Sequence, residues 1–429
     1  MQAKDGGICR IKLPCGRLEA EQAERIAHAS LQHAGGVIEA TNRGNLQIRG
    51  IRAGNEDALF GELLDAGLGP STPGADDVRN LMVSPAAGVD PQALVDISPL
   101  AAELLATLEN TPRLHAMSPK FALLLDGGER LAMLEHPHDI WLSALPLEEG
   151  VGYAFGLAGC PPVRVEDAPA LGIVPGAQAH ALIIALLDLF LELATPEQTR
   201  MRHLLENHAP ADLLQRLQER LGDVLLPAGE WRRAPAQGNA HLGVHAQRQP
   251  GLVHIGAATV LGRLAAAEQL LGLADLARRY GDGNLRLTPW QSVLLANIAE
   301  TAADAVIHSL RALGLLTDAR EPLARIIACT GASRCAKGLA DTKADALRLA
   351  ELLPAGEEQP GIHLTGCSRS CAAAHRAPFT LLAVAEGRYD LFARQPLGNG
   401  FGQLLGHHLT PDEAAELLAS LTATRSFTR

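Results

Sequence analysis

The chain has 429 residues, 47% of them hydrophobic and 20% charged, and its 37 Lys and Arg against 48 Asp and Glu give a formal net charge of −11. That length exceeds one ordinary hydrophobic core and implies two or more domains. The acidic balance argues against a nucleic-acid or anionic-membrane surface, while leaving room for a local basic pocket around a small anion.

In chain order, GICRIKLPCGRLEAEQAERIAHAS (7–30) reads as a strand, a Gly-Arg-Leu segment (16–18) and an amphipathic helix. GGVIEATNRGNLQIRG (35–50) then reads as a glycine turn and a strand pair. An α/β segment follows from about Asp76 to Leu225; its most apolar run, ALIIALLDLFLELA (181–194), is too short to span a bilayer and carries Asp188 and Glu192, so it reads as a buried helix. PAGEWRRAPAQGNA (227–240) reads as a linker. The first pattern then recurs about 240 residues later in GLVHIGAATVLGRLAAAEQLLGLADLARRY (251–280) and GDGNLRLTPWQSVLLANI (281–298). Gly-Arg-Leu at 262–264 answers 16–18, and Asn284–Leu287 is laid over Asn45–Ile48. A βαββ unit used twice predicts two pseudo-symmetric halves. A second α/β segment runs from about Glu321 to the end. Domains are expected at 1–70, 71–226, 241–315 and 316–429, with 227–240 between the halves. No segment reads as a secretory signal, and seven cysteines, an odd number, suggest a reducing cytoplasm and ligand rather than disulfide use.

Four of those cysteines share one region: ACTGASRCAKG supplies Cys329 and Cys335, and HLTGCSRSCAAAHR (363–376) supplies Cys367 and Cys371. Four thiolates serve a [4Fe–4S] cluster or a structural zinc. Zinc knuckles favour tighter spacings than C-x5-C and C-x3-C. The small residues Gly331, Ala332, Ser333, Gly366 and Ala372 suit a bulky cluster whose sulfurs accept backbone N–H bonds. Cys9, Cys15 and Cys160 are scattered and read as core thiols.

This cysteine pattern resembles the cluster motif of the sulfite/nitrite reductase superfamily. TNRGNLQIRG (41–50) is similar to that superfamily's T-x-R-x-x-x-Q strand, DDVRNLMVSPAAGVDP (76–91) to its D-x-R-N segment, and SPKFALLLDGG (118–128) to its Lys-Phe strand. The resemblance implies an α+β fold: duplicated ferredoxin-like (βαββ) units plus two reductase-type α/β domains about a pseudo-two-fold. It also implies that Cys329, Cys335, Cys367 and Cys371 hold a [4Fe–4S] cluster beside a tetrapyrrole. Arg43, Gln47, Arg49, Arg79, Asn80 and Lys120 match the segments that line that ring. A tetrapyrrole polycarboxylate needs such a set, because Arg forks bind carboxylates bidentately. Gly44 is expected to let the backbone approach the flat ligand.

The chain departs from the reductases at Pro119-Lys120-Phe121-Ala122, where they carry Arg-Lys-Phe-Lys near the oxyanion. GRLEAEQ, SPKF and GRYDLF (387–392) instead resemble the precorrin-3B synthase branch, in which the tetrapyrrole is the substrate. That resemblance implies precorrin-3A and O2 as substrates, C20 hydroxylation with closure of a γ-lactone, and an external electron donor (a reductase or an NADH system). A mononuclear non-haem iron has also been associated with that branch. No 2-His-1-carboxylate triad stands out; His363, His375, His407 and His408 lie nearest the cluster segment, and His375 is the candidate for a site role. The alternatives are a sirohaem-dependent nitrite or sulfite reductase, and a non-catalytic tetrapyrrole carrier or zinc scaffold. A cytoplasmic monomer is expected, since the duplication already supplies a pseudo-dimer, with no nucleic-acid or membrane partner.

Overall fold

In the computed structural model, which describes residues 2–70, 72–356, 360–395 and 400–426, each Gly-Arg-Leu segment leaves its own half and completes the sheet of the other. The first half runs through β1 (Gln2–Ala3), β2 (Gly6–Ile11), β3 (Arg17–Glu19), the helix Ala20–His33, β4 (Val37–Ala40) and β5 (Leu46–Ile51). Its α/β part holds β6 (Leu81–Met82), β7 (Leu123–Asp126), β8 (His138–Leu147), β9 (Gly150–Gly159) and β10 (Gly172–Pro175). The second half repeats this as β11 (Gly243–Ala246), β12 (Leu252–Ala258), β13 (Arg263–Ala265), the helix Leu271–Tyr280, β14 (Asn284–Leu287) and β15 (Ser292–Ala299). It ends with β16 (Ile326–Ala328), β17 (Ile362–Thr365), β18 (Phe379–Ala385), β19 (Arg388–Ala393) and β20 (Gln403–Leu409).

The two ferredoxin-like sheets have the orders β1-β2-β5-β4-β13 and β11-β12-β15-β14-β3. The swap of β3 and β13 means that residues 1–70 and 241–315 do not form separate sheets, and both units share one core. Ile26, Ile38, Leu46 and Ile48 pack in it with Leu264, Leu273, Leu285 and Ile298, and alanines 23, 27, 274 and 277 let the two helices approach. Gly16 (φ +70°) makes the crossing: a Cβ there would lie 2.5 Å from the Leu287 carbonyl oxygen. Gly44 (φ +66°) meets the same carbonyl, with its Cβ position 3.0 Å away, so its close approach is to the other half of the chain and not to a flat ligand.

The strand register also corrects the alignment of the repeats. Ala40 pairs with Leu46 and Leu287 with Val293, so Asn45–Ile48 corresponds to 292–295 and not to Asn284–Leu287. The loops agree: the Thr41 hydroxyl accepts from the N–H groups of Arg43 and Asn45, and the Thr288 hydroxyl from those of Trp290 and Ser292. Arg43 and Trp290 are therefore counterparts. Both repeats contain an Asn-Leu pair, which attracts the wrong register when only residue identity is compared.

The α/β sheets repeat the same topology, three parallel strands followed by two antiparallel ones: β6, β7, β8, β9, β10 and β16, β17, β18, β19, β20. The helix Ala179–Leu193 is apolar enough, over 176–193, to cross a membrane by length and composition. Here its residues Leu182, Ile183, Leu186, Leu187, Leu189 and Phe190 are in the first α/β core. Ser71, at the expected boundary, lies outside the described residues. The stretch 227–240 is no free linker: Arg233 is buried against Asp126, and backbone bonds tie Arg233 to Pro162 and Gln237 to Arg130.

Candidate functional site

Cys329 directly follows β16 and Cys367 lies two residues beyond β17, so both cysteine loops leave the carboxyl ends of adjacent parallel strands, where open α/β sheets bind ligands. The Gly366 N–H donates to the Cys329 sulfur at 3.2 Å, and the Thr342 hydroxyl sits 3.6 Å from it. A Cβ at position 366 would stand 3.6 Å from that sulfur and 3.1 Å from the Gly338 Cα, so only small residues line the cradle. The loops are laced by Cys335 N–H to Gly331 O (2.9 Å) and Leu339 N–H to Gly366 O (3.0 Å). All seven cysteines are free thiols, and Cys371 is the most exposed of the four. Its thiol is pushed up by partial desolvation and then by Cys367, Cys329 and Cys335, which places the four within electrostatic reach. Among the described residues, no three His, Cys, Asp or Glu side chains are grouped for a single ion. Four thiols, a backbone donor to sulfur and a glycine-walled cradle fit a [4Fe–4S] cluster, whose ligand sulfurs stand farther apart than those on one ion. Nothing in this grouping carries the mononuclear non-haem iron further.

The first half braces these loops. Lys4 donates to Ala332 O (3.0 Å), Asn42 to Cys371 O (3.4 Å), and Arg49 to Arg334 O (3.4 Å). Arg49 is 5% exposed and already forked onto Asp5, at 2.9 and 3.1 Å. Gln47 reaches Glu39 at 3.4 Å, and Glu39 also faces Arg49, Arg263 and Lys343. Gln47 and Arg49 thus share a face, as their spacing requires; the Arg49 guanidinium is already engaged by acids there, while Gln47 is half-buried. Arg79 is likewise buried, held by Asp76 at 2.8 Å with Glu109 at 3.7 Å. Asn80 donates to Asp77 O and Pro119 O, fixing the strand that carries Lys120. Lys120 itself is exposed.

Arg43 remains, with companions that sequence reasoning missed. Its side chain reaches solvent from a recess; desolvation lowers its pKa first, then repulsion from Arg200 and Arg10, against the pull of Asp139. Asp139 holds Arg200 at 2.8 Å, accepts from the Ala122 N–H at 2.8 Å and donates its own N–H to Ala122 O at 2.8 Å. Where the reductases carry a second lysine, this chain therefore has Ala122 clamped to a carboxylate. His136 and His138 are buried within electrostatic reach of Arg43. His138 is driven down to about 3 by burial, with the nearby Arg43 and Arg200 adding to it, and its Nδ1 has no hydrogen-bond partner among the described residues. His136 Nε2 meets His375 Nδ1 at 2.9 Å, and burial holds both rings neutral. His363 is buried within β17, and His407 and His408 are exposed. The cluster EHPHD (135–139), with two histidines and two carboxylates in five residues, was the signal available for this part of the site.

The His136–His375 contact spans 239 positions, the same offset that relates Leu123 paired with Ile140 to Ile362 paired with Phe379, so the pair lies on the pseudo-two-fold. That register also shows what stands opposite the cluster. Ser84, Asp90, Gly128 and Ala132 occupy the places of Cys329, Cys335, Cys367 and Cys371. The Ser84 hydroxyl donates to Leu131 O (2.5 Å), and Asp90 accepts from the Arg130 N–H (2.8 Å), closing with hydrogen bonds the loop that thiols serve in the other half.

A buried neutral imidazole makes stability depend on pH. The folded His138 titrates near 3 and an unfolded histidine near 6.5 (about), so between these values the unfolded chain binds the extra proton. Stability is expected to be full above about pH 6.5 and to fall as pH drops toward 3. Denaturant midpoints from pH 7 to pH 5 check this, and His138→Gln is expected to flatten the slope.

Family models match the two ferredoxin-like units and the first α/β part, the one without the four grouped cysteines. The family model for the nitrite/sulfite reductase ferredoxin-like half domain matches residues 1–66 and 245–313, and that for the nitrite and sulphite reductase 4Fe-4S domain matches residues 74–225. A ferredoxin–nitrite reductase of Synechococcus elongatus is 30% identical over 408 residues, 89% of this chain and 77% of that protein. The chloroplastic ferredoxin–nitrite reductase of Zea mays is 30% identical over 389 residues, covering 85% of this chain. The chain spans about two thirds of the length of the plant reductases it matches. A precorrin-3B synthase of Sinorhizobium is 27% identical over 391 residues, 90% of this chain and 79% of that protein. The structure of the Mycobacterium tuberculosis NirA protein superposes with a TM-score of 0.81 over 98% of this chain and 81% of that one, at 22% identity, which is a likeness of fold.

Proposed function

The chain belongs to the nitrite and sulfite reductase family, whose members are redox enzymes with an iron–sulfur cluster domain, and on that premise we propose that it acts as a precorrin-3B synthase. In this reading the tetrapyrrole is the substrate: one atom of O2 enters C20, the other leaves as water with two electrons from an external donor, and the ring A acetate closes a lactone. The observation that carries it is at Ala122. A small inorganic oxyanion is bound by converging cations, and here a lysine's place is taken by Ala122, whose backbone N–H donates to the Asp139 carboxylate. A large polycarboxylate tolerates that loss, since its arms are held at the periphery by forks such as Arg43 and Arg10, together with Lys120. Cys329, Cys335, Cys367 and Cys371 hold the [4Fe–4S] cluster in this proposal, and the cluster, when bound, supplies single electrons. The chain's own part is positional. Arginine forks fix the acetate arms so that lactone closure is intramolecular, and the buried neutral rings of His136, His138 and His375 stand behind Arg43 without adding charge. The enzyme is proposed to work in the cytoplasm as a monomer.

Incubating the protein with precorrin-3A, O2 and a reductant is expected to add one oxygen atom to the tetrapyrrole with lactone formation, read by mass. An unchanged mass rejects the reading. The identities of 30% to ferredoxin–nitrite reductases favour the second reading, a sirohaem enzyme. An intense Soret-type band in protein purified without air decides for it. Arg43→Ala is expected to weaken tetrapyrrole binding by about tenfold to a hundredfold, the loss of one charge-assisted hydrogen bond. Unchanged affinity in a titration puts Arg43 outside the binding surface.

A further inference from the structure

We propose that the large cavity on the side of the molecule away from the four-cysteine loops is a second binding site, for a planar polycarboxylate of porphyrin size. Its volume is about 1170 Å³, at the upper end of small-molecule pockets. Two of its lining residues, Ala132 and Trp290, are the pseudo-two-fold counterparts of Cys371 and Arg43. The cavity thus stands where the internal symmetry repeats the cluster-side recess, with the thiol and the guanidinium exchanged for a methyl group and an indole.

Its chemistry selects a flat ligand with anionic arms. Trp141 lies against the bare backbone of Gly156, where a Cβ would come within 2.3 Å of the indole. Trp290 is stacked on His241, ring centroids 5.1 Å apart and 7° from parallel, which holds its plane still. The two held indoles favour an aromatic face, in a wall that also carries the carboxylates of Glu135 and Asp167. Arg376 and Arg164 supply charge at the lining, neither with an ion-pair partner among the described residues, while Arg394 is held by Glu135 at 2.5 Å. With no thiol at Ala132, this site binds without being able to share a cluster ligand. The two sites meet at one contact: His375 lines the cavity, and its Nδ1 touches His136, whose ring faces Arg43. A site in that position serves to hold a second tetrapyrrole beside the first. The ligand class rests on the tetrapyrrole reading of the recess.

Equilibrium dialysis of the full-length protein, purified without air, against uroporphyrin III tests this. Two equivalents per chain are expected. Trp290→Leu and Arg376→Glu are each expected to weaken one equivalent by about tenfold or more, leaving the iron–sulfur spectrum and the thermal midpoint unchanged. Arg43→Ala is expected to weaken only the other. A single equivalent sensitive to Arg43→Ala and indifferent to the cavity substitutions overturns the second site, as does no binding at all. A single equivalent that responds to Trp290→Leu and Arg376→Glu but not to Arg43→Ala upholds the cavity and sinks the tetrapyrrole reading of the recess.

Discussion

Cys367→Ser protein purified without air is expected to lack iron–sulfur absorbance, to carry almost no acid-labile sulfide and to have no turnover. A serine hydroxyl is a far weaker ligand than a thiolate, and the loop offers no substitute. Among the described residues, the only other cysteines are Cys9, Cys15 and Cys160, none of them on the cluster loops. Burial raises the thiols of Cys9 and Cys15 to about 11 and that of Cys160 to about 12, so none supplies a thiolate near neutral pH. Cys160→Ser is therefore the matched control and is expected to keep the full spectrum. The effect is all-or-none because the cradle is built around sulfur: the Gly366 N–H that donates to Cys329 is tied, through Gly366 O, to the loop of Cys335. Removing one ligand frees a loop that only the cluster and a few backbone bonds close. A Cys367→Ser protein that retains the spectrum would show that the ligand set is wrong.

How much of this was legible in the chain depends on the range of the interaction involved. The duplication, the α/β segments and the cysteine loops follow from local periodicity and spacing, and all are in the structure. The exchange of β3 and β13 between sheets was not readable, since Arg17–Glu19 and Arg263–Ala265 look like ordinary short strands and only tertiary packing chooses their partners.

The site divides along the same line. Motif matching selected Arg43, Arg49, Arg79, Gln47, Asn80 and Lys120 by residue type, but an arginine's role depends on whether an acid reaches it first. Asp5 takes Arg49 from 44 positions away, and Asp76 takes Arg79 from one turn away. Arg200 arrives in the recess from 61 positions beyond Asp139, with no local mark to distinguish it from any surface arginine. The pairing of His136 with His375 needed the pseudo-two-fold, and the out-of-register overlay of Asn45 on Asn284 had hidden that axis.

The largest stability effect is expected in the half without the four grouped cysteines. Arg233→Ala is expected to cost about 3–5 kcal/mol, because it leaves a carboxylate buried without its partner. Arg233 is 7% exposed and forks onto Asp126, at 2.7 and 3.1 Å, while also donating to Glu129 O and Ala234 O. Asp126 is 1% exposed and additionally accepts from Ser143 and the Gly128 N–H. Burial and the Asp126 charge raise Glu129 to about 8, so it is protonated at neutral pH and one acid, not two, faces the guanidinium. With its folded pKa above the ordinary value near 4.5, Glu129 contributes stability that is full in acid and is lost as pH rises through about 8. This ionic knot ties the strap 227–240 to the strand that corresponds to β17, beside the loop where the other half places Cys367 and Cys371. One half thus closes around four cysteines and the other around a salt bridge, and the second closure has a substitute. Replacing a buried pair by apolar groups of similar size is often neutral, so the double variant Arg233→Met with Asp126→Leu is expected to recover most of the loss. Denaturant midpoints of the two variants decide it. If the single substitution is silent, the knot contributes no stability. If the double variant is as weak as the single one, what matters is the packing of the strap and not its charge.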